Sequence, residues 1–341
     1  MSKIKIAIVG AAGYSGEELV RLLLKHPNCE VKVITSRQYD KQHISEVFPR
    51  FAEEDIYFSK PNVDAIIAEC DVAFLALPHG LAAEFAEPLV KGGVKVIDIS
   101  ADFRLRSLDK YKEYYGVDHP APELLKNAVY GLPEHYRKDI EKANLIASPG
   151  CYPTSIMLPT IPLLKSGIVD SDGIIVASAS GVSGAGRKVD LPFIYPECNE
   201  SFRAYAPTGH RHLPEIEQEL AKAAGLDDLA INFVPHLAPV NRGINSTIFL
   251  NAKGDCSQDK VLEILNKEYA NCPFVRILPK GKLADTKHIT MTNMCEIGVA
   301  FDERTNKVII TSCIDNLTKG ASGQAIQSMN IMYDFAENAG L

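Results

Sequence analysis

The sequence predicts two units: an α/β unit with a parallel sheet and helices on both faces, followed by an α+β unit built on a mixed sheet. Three observations carry that expectation. Through the first 150 residues, short apolar runs alternate with segments of helical spacing, the pattern of parallel strands joined by crossover helices. Beyond that point the strand-like segments lie closer together and often alternate apolar with polar, with few helices between them, which reads as a mixed or antiparallel sheet. The length of 341 residues is also more than one hydrophobic core comfortably serves.

In chain order, residues 3–9 (KIKIAIV) read as a buried strand and residues 10–16 as a glycine-rich turn. Residues 17–26 (EELVRLLLKH) follow as a helix, with Leu19, Leu22 and Leu23 at helical spacing. Residues 30–35 are a second strand, and 72–77 (VAFLAL) and 94–99 (VKVIDI) are further strands with a helix between them. A short strand at 145–148 runs into a turn that a helix leaves. In the second half, 173–180, 229–235, 245–251, 289–301 and 307–314 are strand-like, whereas 213–224 and 258–270 have helical spacing. Residues 319–338 read as one more helix. No internal repeat, low-complexity tract or long linker interrupts this order.

Composition narrows the class of function. Hydrophobic residues make up 46% and charged residues 23% of the chain, an ordinary globular mixture. The net charge of -7 argues against nucleic acid or an anionic membrane as partner. The opening MSKIKIAIVGAAG is basic and then apolar, but the run breaks at Gly10 and has no cleavage-like site, so we read it as a strand and expect a cytoplasmic protein. No stretch approaches the ~18 continuous apolar residues of a membrane span. The eight cysteines are irregularly spaced, with no CxxC pair, which is too sparse for a disulfide scaffold.

Gly10-Ala11-Ala12-Gly13-Tyr14-Ser15-Gly16 sits between the first strand and the first helix. Its GxxGxxG spacing is one residue off the usual dinucleotide turn, yet glycines here let the backbone turn tightly against a pyrophosphate at a helix N-terminus. Where NAD-binding folds usually place a carboxylate after the second strand, this chain has Ser36 and Arg37. A hydroxyl and a guanidinium suit a 2′-phosphate, so NADP(H) is the expected cofactor. A solvated loop arginine is the alternative.

Cys151 lies in Ser148-Pro149-Gly150-Cys151-Tyr152-Pro153. Pro153 fits a first helical turn, which places Cys151 beside a helix N-terminus, where the dipole stabilises a thiolate and lowers its pKa. The alternative is a buried structural cysteine at a domain joint. His210 and His212 fall just before the 213–224 helix. At i, i+2 they share no helical face, so we expect no zinc site. A loop histidine there suits proton transfer at neutral pH.

With these residues in view the chain resembles the N-acetyl-gamma-glutamyl-phosphate reductases, relatives of aspartate-semialdehyde dehydrogenase. The resemblance rests on GAAGYSGEEL (10–19), LPHG (77–80), DISADFRL (98–105), VYGLPE (129–134), SPGCYPTS (148–155), SGVSGAGR (180–187), GHRHLPEI (209–216) and DNLTKGASGQAIQ (315–327). It implies a Rossmann-like NADP-binding domain from 1–149 with 318–341, and a catalytic and dimerisation domain over 150–317. It implies Cys151 as nucleophile and His210 as acid/base, the histidine giving a proton to the oxyanion and later taking it back. The cofactor set it implies is Gly10, Gly13, Tyr14, Ser15, Gly16, Ser36, Arg37, Pro78, His79, the loop residues Ser180, Gly181, Ser183, Gly184 and Ala185, and Asn316. Arg104, ranked first, Arg187 and Arg211 are the implied ligands of the substrate's anionic groups.

The implied reaction is NADPH-dependent reduction of N-acetyl-gamma-glutamyl phosphate to the semialdehyde in arginine biosynthesis, through a cysteine thioester and with release of inorganic phosphate. A homodimer or homotetramer is expected. Two rival readings stay open: reduction of an aminoadipyl or aspartyl phosphate, and a non-catalytic NADP sensor.

Overall fold

The computed structural model describes residues 3–341, and the chain divides into two units. One comprises the residues up to Lys112, Val117–Pro149 and Ala321–Leu341. The other comprises Glu113–Gly116 and Gly150–Gly320.

The first unit is built on seven strands: β1 (Ile4–Val9), β2 (Cys29–Thr35), β3 (Phe58–Ser59), β4 (Val72–Leu75), β5 (Lys95–Asp98), β6 (Val129–Tyr130) and β7 (Leu145–Ala147). Their order is β3-β2-β1-β4-β5-β7-β6, and every pairing is parallel. Both faces are buried, as parallel sheets require. Ile6 and Ile8 of β1 enter one apolar cluster with Leu19, Leu23, Ile34 and Phe74. Ala7 and Val9 enter the other with Leu75, Ala86 and Leu89. The strand alternation of side chains thus feeds two cores from one run of sequence. The first helix is Tyr14–Leu23, starting three residues earlier than expected because Gly13 serves as its N-cap.

The end of the chain joins this unit. Residues 319–338, expected as a single helix, form a π-helical turn, Thr318–Ser322, and the helix Gly323–Met332. Ala325, Ile326 and Met329 complete the first apolar cluster. Ser322 Oγ donates to the Ser15 carbonyl at 2.8 Å, and the His26 ring shares a 2.9 Å hydrogen bond with Asn330 Oδ1.

The second unit carries β8 (Ile175–Ser180), β9 (Arg203–Ala204), β10 (Asn232–Leu237), β11 (Ile244–Asn251), β12 (Val275–Ile277), β13 (Cys295–Asp302) and β14 (Lys307–Ile314). Their order is β12-β13-β14-β11-β8-β10-β9, with parallel and antiparallel pairs mixed. The strand expected from 289 starts only at Cys295, since Met291 holds φ at 62° and turns the chain. The helix leaving the Cys151 turn runs sixteen residues, Cys151–Ser166, despite Pro159 and Pro162 inside it. Each proline removes an amide donor to a carbonyl four residues back. For Pro162 that carbonyl is Leu158, and the Tyr269 hydroxyl donates to it instead. Residues 152–164 of this helix are all buried, so no apolar stripe of period 3.6 marks it in the sequence.

Gly10 fixes the first βα turn. Its φ is +88°, and a Cβ there would lie 2.4 Å from the Ala76 carbonyl oxygen. Gly10→Ala therefore combines left-handed strain with a backbone clash. We expect a loss of about 3 kcal/mol or more in urea-induced unfolding, against a near-neutral effect for alanine at the exposed Gly209.

Candidate functional site

Within the second unit, the start of the helix Cys151–Ser166 organises the site. Gly150 is its N-cap and offers no side-chain cap. Its N–H donates to Glu215 Oε1 at 2.8 Å, and its carbonyl accepts from both the N–H and the hydroxyl of Thr154 at 3.0 Å each. Pro153 has no N–H to offer. The N–H groups of the first turn that lack helical acceptors are therefore those of Cys151 and Tyr152, beside the Cys151 sulfur and at the positive end of the helix dipole. Cys151 itself is half-buried.

A cavity of about 530 Å³ opens at this helix start. Cys151, Ser180, Gly181, Gly184, Ala185, His210 and Arg211 all line it, so seven sequence-assigned residues meet there. The His210 ring packs edge-on to Tyr152 at 5.4 Å, to Phe233 at 5.4 Å and to Tyr205 at 5.6 Å. Burial, assisted by the Arg211 charge, depresses the His210 pKa to about 4. Its Nδ1 accepts the backbone N–H of His212 at 3.1 Å, which fixes the proton on Nε2 of a neutral ring.

Sequence reasoning missed several parts of this cavity. The Tyr205 and Tyr152 hydroxyls meet at 3.0 Å, and burial raises both phenols, Tyr205 to about 12. Lys188 and Arg203 also line the cavity. Arg203 is held by the Pro192 carbonyl and the Ser201 hydroxyl, and Lys188 pairs with Asp190 at 2.9 Å. Glu215, 1% exposed, stands in a quoted motif, but an acid in a first helical turn ordinarily complements the dipole, and its partner sits 65 residues away.

Other assigned residues lie apart from the cavity wall. Asn316 is buried, accepts the Gly243 N–H at 2.8 Å and donates to Ser183 Oγ at 2.9 Å. Ser183 Oγ donates in turn to the Asn241 carbonyl at 2.6 Å. These two residues fasten the 181–186 loop rather than face into the cavity. Arg187 is exposed on the loop beyond it.

In the first unit, the turn Gly10–Gly16 leads into a helix whose N-cap, Gly13, makes no side-chain cap. Its first-turn N–H groups, those of Tyr14 and Ser15 among them, suit an anion. Ser36 Oγ accepts from the N–H groups of Gln38 and Tyr39, while Arg37 is exposed. Pro78 and His79 are exposed on the loop after β4. The Asp102 carboxylate shapes that loop, accepting the N–H groups of Gly80 at 2.6 Å and Ala82 at 3.0 Å. Arg104 is 7% exposed. Its Nε donates to the Ser148 carbonyl at 2.8 Å and its Nη2 to the Ile99 carbonyl at 2.8 Å. The arginine ranked first for substrate thus braces the ends of β5 and β7.

Comparisons with known proteins meet this geometry. Residues 5–143 match the family model for the semialdehyde dehydrogenase NAD binding domain, and residues 151–316 match the one for the semialdehyde dehydrogenase dimerisation domain. The N-acetyl-gamma-glutamyl-phosphate reductase of Akkermansia muciniphila is 52% identical over 100% of this chain and 99% of its own length. The chain belongs to the N-acetyl-gamma-glutamyl-phosphate reductase family. The reductase of Saccharophagus degradans is 48% identical over 99% of this chain and 98% of its own length. Among solved structures, aspartate semialdehyde dehydrogenase II of Vibrio cholerae shares the fold with a TM-score of 0.75 at 16% identity, covering 98% of this chain and 99% of that one. As a member of this family the chain is an oxidoreductase of the semialdehyde dehydrogenase type, with a Rossmann-type nucleotide domain and a mixed-sheet domain. Among the described residues, no helix is long and apolar enough to cross a membrane.

One glycine gives the cavity a sharp test. A Cβ on Gly320 would lie 2.8 Å from the Cβ of Cys151, the rigid root of that side chain. Gly320→Ala should push the sulfur aside, lowering kcat by about tenfold to a hundredfold with a much smaller change in melting temperature. Steady-state kinetics beside thermal unfolding measures both.

Proposed function

We propose that the chain reduces N-acetyl-gamma-glutamyl phosphate to N-acetylglutamate 5-semialdehyde, with NADPH as reductant and release of inorganic phosphate, as a step of arginine biosynthesis in the cytoplasm. The observation that carries the reading is the presence of Cys151, His210 and Arg211 in one cavity at a helix start. Relatives named for this activity match end to end. A non-catalytic nucleotide sensor would have no use for such a cavity.

The donor sets fit NADPH. The uncapped helix start at Gly13 suits a pyrophosphate, with Gly10, Tyr14, Ser15 and Gly16 forming the turn, and Ser36 and Arg37 after β2 suit a 2′-phosphate without a competing carboxylate at the strand end. Pro78 and His79, exposed on the loop after β4, would border the remainder. When bound, NADPH supplies the hydride that reduces the acyl carbon.

The chain's own residues do the rest. The Cys151 sulfur attacks the γ-carbonyl, forming an S–C bond. The C–O bond to phosphate then breaks, phosphate departs and a thioester remains. The N–H groups of Cys151 and Tyr152 stabilise the oxyanion at the helix start. His210, neutral and protonated at Nε2, donates a hydrogen bond to the same oxygen. Its Nδ1 is already engaged by the His212 N–H, so we assign it this donor role in place of two-way proton carriage. After reduction the C–S bond breaks, giving the aldehyde and returning the sulfur anion.

Substrate choice follows from charge. Lys188, Arg203 and Arg211 line the cavity, and no Asp or Glu does among the described residues. The wall therefore welcomes a carboxylate and a phosphate and gives a free α-ammonium no partner. That favours an N-acylated substrate over an aspartyl phosphate. Arg211, with Arg203, is assigned to these anions. Arg104 is assigned to bracing the chain before Cys151, and Arg187 stays at the rim.

We also assign a second copy of the chain to the open face of the mixed sheet. The helices Cys151–Ser166 and Gln258–Glu268 pack on one side of that sheet. On the other, Ala177, Thr247, Phe249 and Ile309 are half-buried. Phe249→Asp should give a smaller species by light scattering.

Cys151→Ala should abolish phosphate-dependent oxidation of N-acetylglutamate semialdehyde. His210→Asn should lower kcat by about 10²–10³ while leaving NADPH binding, followed by nucleotide fluorescence, near normal. Turnover retained in Cys151→Ala would exclude the thioester route. His210 also makes a pH prediction: buried neutral, it binds its proton less readily than in the unfolded chain, so stability falls as pH drops from 6.5 toward about 4. The fall should be shallower in His210→Asn during urea unfolding at a series of pH values.

A further inference from the structure

A small cavity in the first unit, about 240 Å³, is lined by Arg37, Lys60, Pro61 and Phe85. Lys60 has no part in the sequence-derived cofactor set. The sheet explains why it stands beside Arg37. β2 and β3 pair in parallel with Thr35 opposite Ser59, and the Ser36 N–H donates to the Ser59 carbonyl at 2.9 Å. One residue further on, both strands have ended and the two cations leave adjacent strand ends together. Such ends are where open parallel sheets take their nucleotides.

We infer that Lys60 is a second reader of the adenosine 2′-phosphate, acting with Arg37, and that Pro61 and Phe85 form the apolar wall against which the adenine rests. The inference rests on the NADPH reading proposed above. The chemistry divides cleanly between the two cations: a guanidinium can grip a phosphate through two parallel N–H bonds, whereas an ammonium adds a compact point charge. The Lys60 ammonium pairs with Asp40 at 3.9 Å, and its side chain is 74% exposed. An exposed pair at that separation is weak. A phosphate with nearly two negative charges competes with it successfully. Asp40 also accepts the Lys60 backbone N–H at 3.1 Å, which fixes the main chain while leaving the ammonium able to swing. Lys60 is therefore a specificity residue: it acts on the 2′-phosphate and on no reacting atom.

The test is calorimetric titration of the full-length protein with 2′,5′-ADP and with 5′-AMP, free of turnover. Lys60→Gln should weaken 2′,5′-ADP by about tenfold or more and leave 5′-AMP unchanged. Lys60→Arg should restore most of the loss. Phe85→Ala should weaken both nucleotides alike. Raising salt from about 0.1 to 1 M should narrow the wild-type preference. Equal affinity of Lys60→Gln and wild type for 2′,5′-ADP overturns the inference, as does an equal loss for both nucleotides. If wild type itself does not prefer 2′,5′-ADP, the NADPH reading fails, and this inference fails with it. If the wild-type preference stands and only Arg37→Gln removes it, Lys60 is excluded while NADPH is retained.

Discussion

The Glu215 carboxylate receives the Gly150 N–H at 2.8 Å in a setting that is 1% exposed, and the cavity around Cys151 depends on that bond. It ties the start of one helix to the first turn of another, Leu213–Ala224. Glu215 follows directly on the 210–212 loop, so the same tie that sets Cys151 also sets His210. A buried hydrogen bond to a charged acceptor is strong, and its loss leaves a desolvated group unmatched. Gly320, in the π-helical turn, leaves room for the Cys151 Cβ that any larger residue there would take, and such a turn is a kind of irregularity often found at functional sites. The start of the Cys151 helix is thus set by a hydrogen bond and by a small residue, neither of which is part of the chemistry itself.

The electrostatics of the cavity are divided rather than uniformly positive. Arginine and lysine line the wall, while the imidazole that lines it beside them is kept neutral by burial and by the neighbouring Arg211 charge. Under the proposed reaction, a charged imidazole there would compete for the substrate's anions, whereas a neutral Nε2–H would serve the developing oxyanion alone. The tyrosine pair, with both phenols raised by burial, stays protonated and supplies dipoles without charge. Ser155, Ser178 and Ser246, linked at 2.7 Å and fully buried or nearly so, tie the helix Cys151–Ser166 to the sheet beneath by the same neutral means.

Much of this was legible in the sequence where local rules suffice. The glycine turn after the first strand, the proline just inside the Cys151 helix and the alternation along residues 307–314 each report their own structure. The helix Cys151–Ser166 was legible at its start but not along its length, because it is buried on all sides and carries two internal prolines, one of whose lost donors is replaced by a tyrosine more than a hundred residues away. Glu215, Tyr205 and Arg203 were not legible as a group, because each reaches the cavity through contacts dozens of residues apart. Arg104 shows another limit: an arginine after a strand end looks like an anion ligand, and its place in the sequence gives no sign that two of its N–H groups also hold main-chain carbonyls.

The central claim is that the Cys151 sulfur carries the acyl group. Incubating the protein with N-acetyl-gamma-glutamyl phosphate in the absence of NADPH, followed by mass spectrometry of the quenched protein and its peptides, tests it directly. The account predicts an N-acetylglutamyl adduct confined to the Cys151 peptide, released by hydroxylamine as a thioester is. An unmodified Cys151 in a protein that turns over once NADPH is added, or an adduct on another residue, would contradict it.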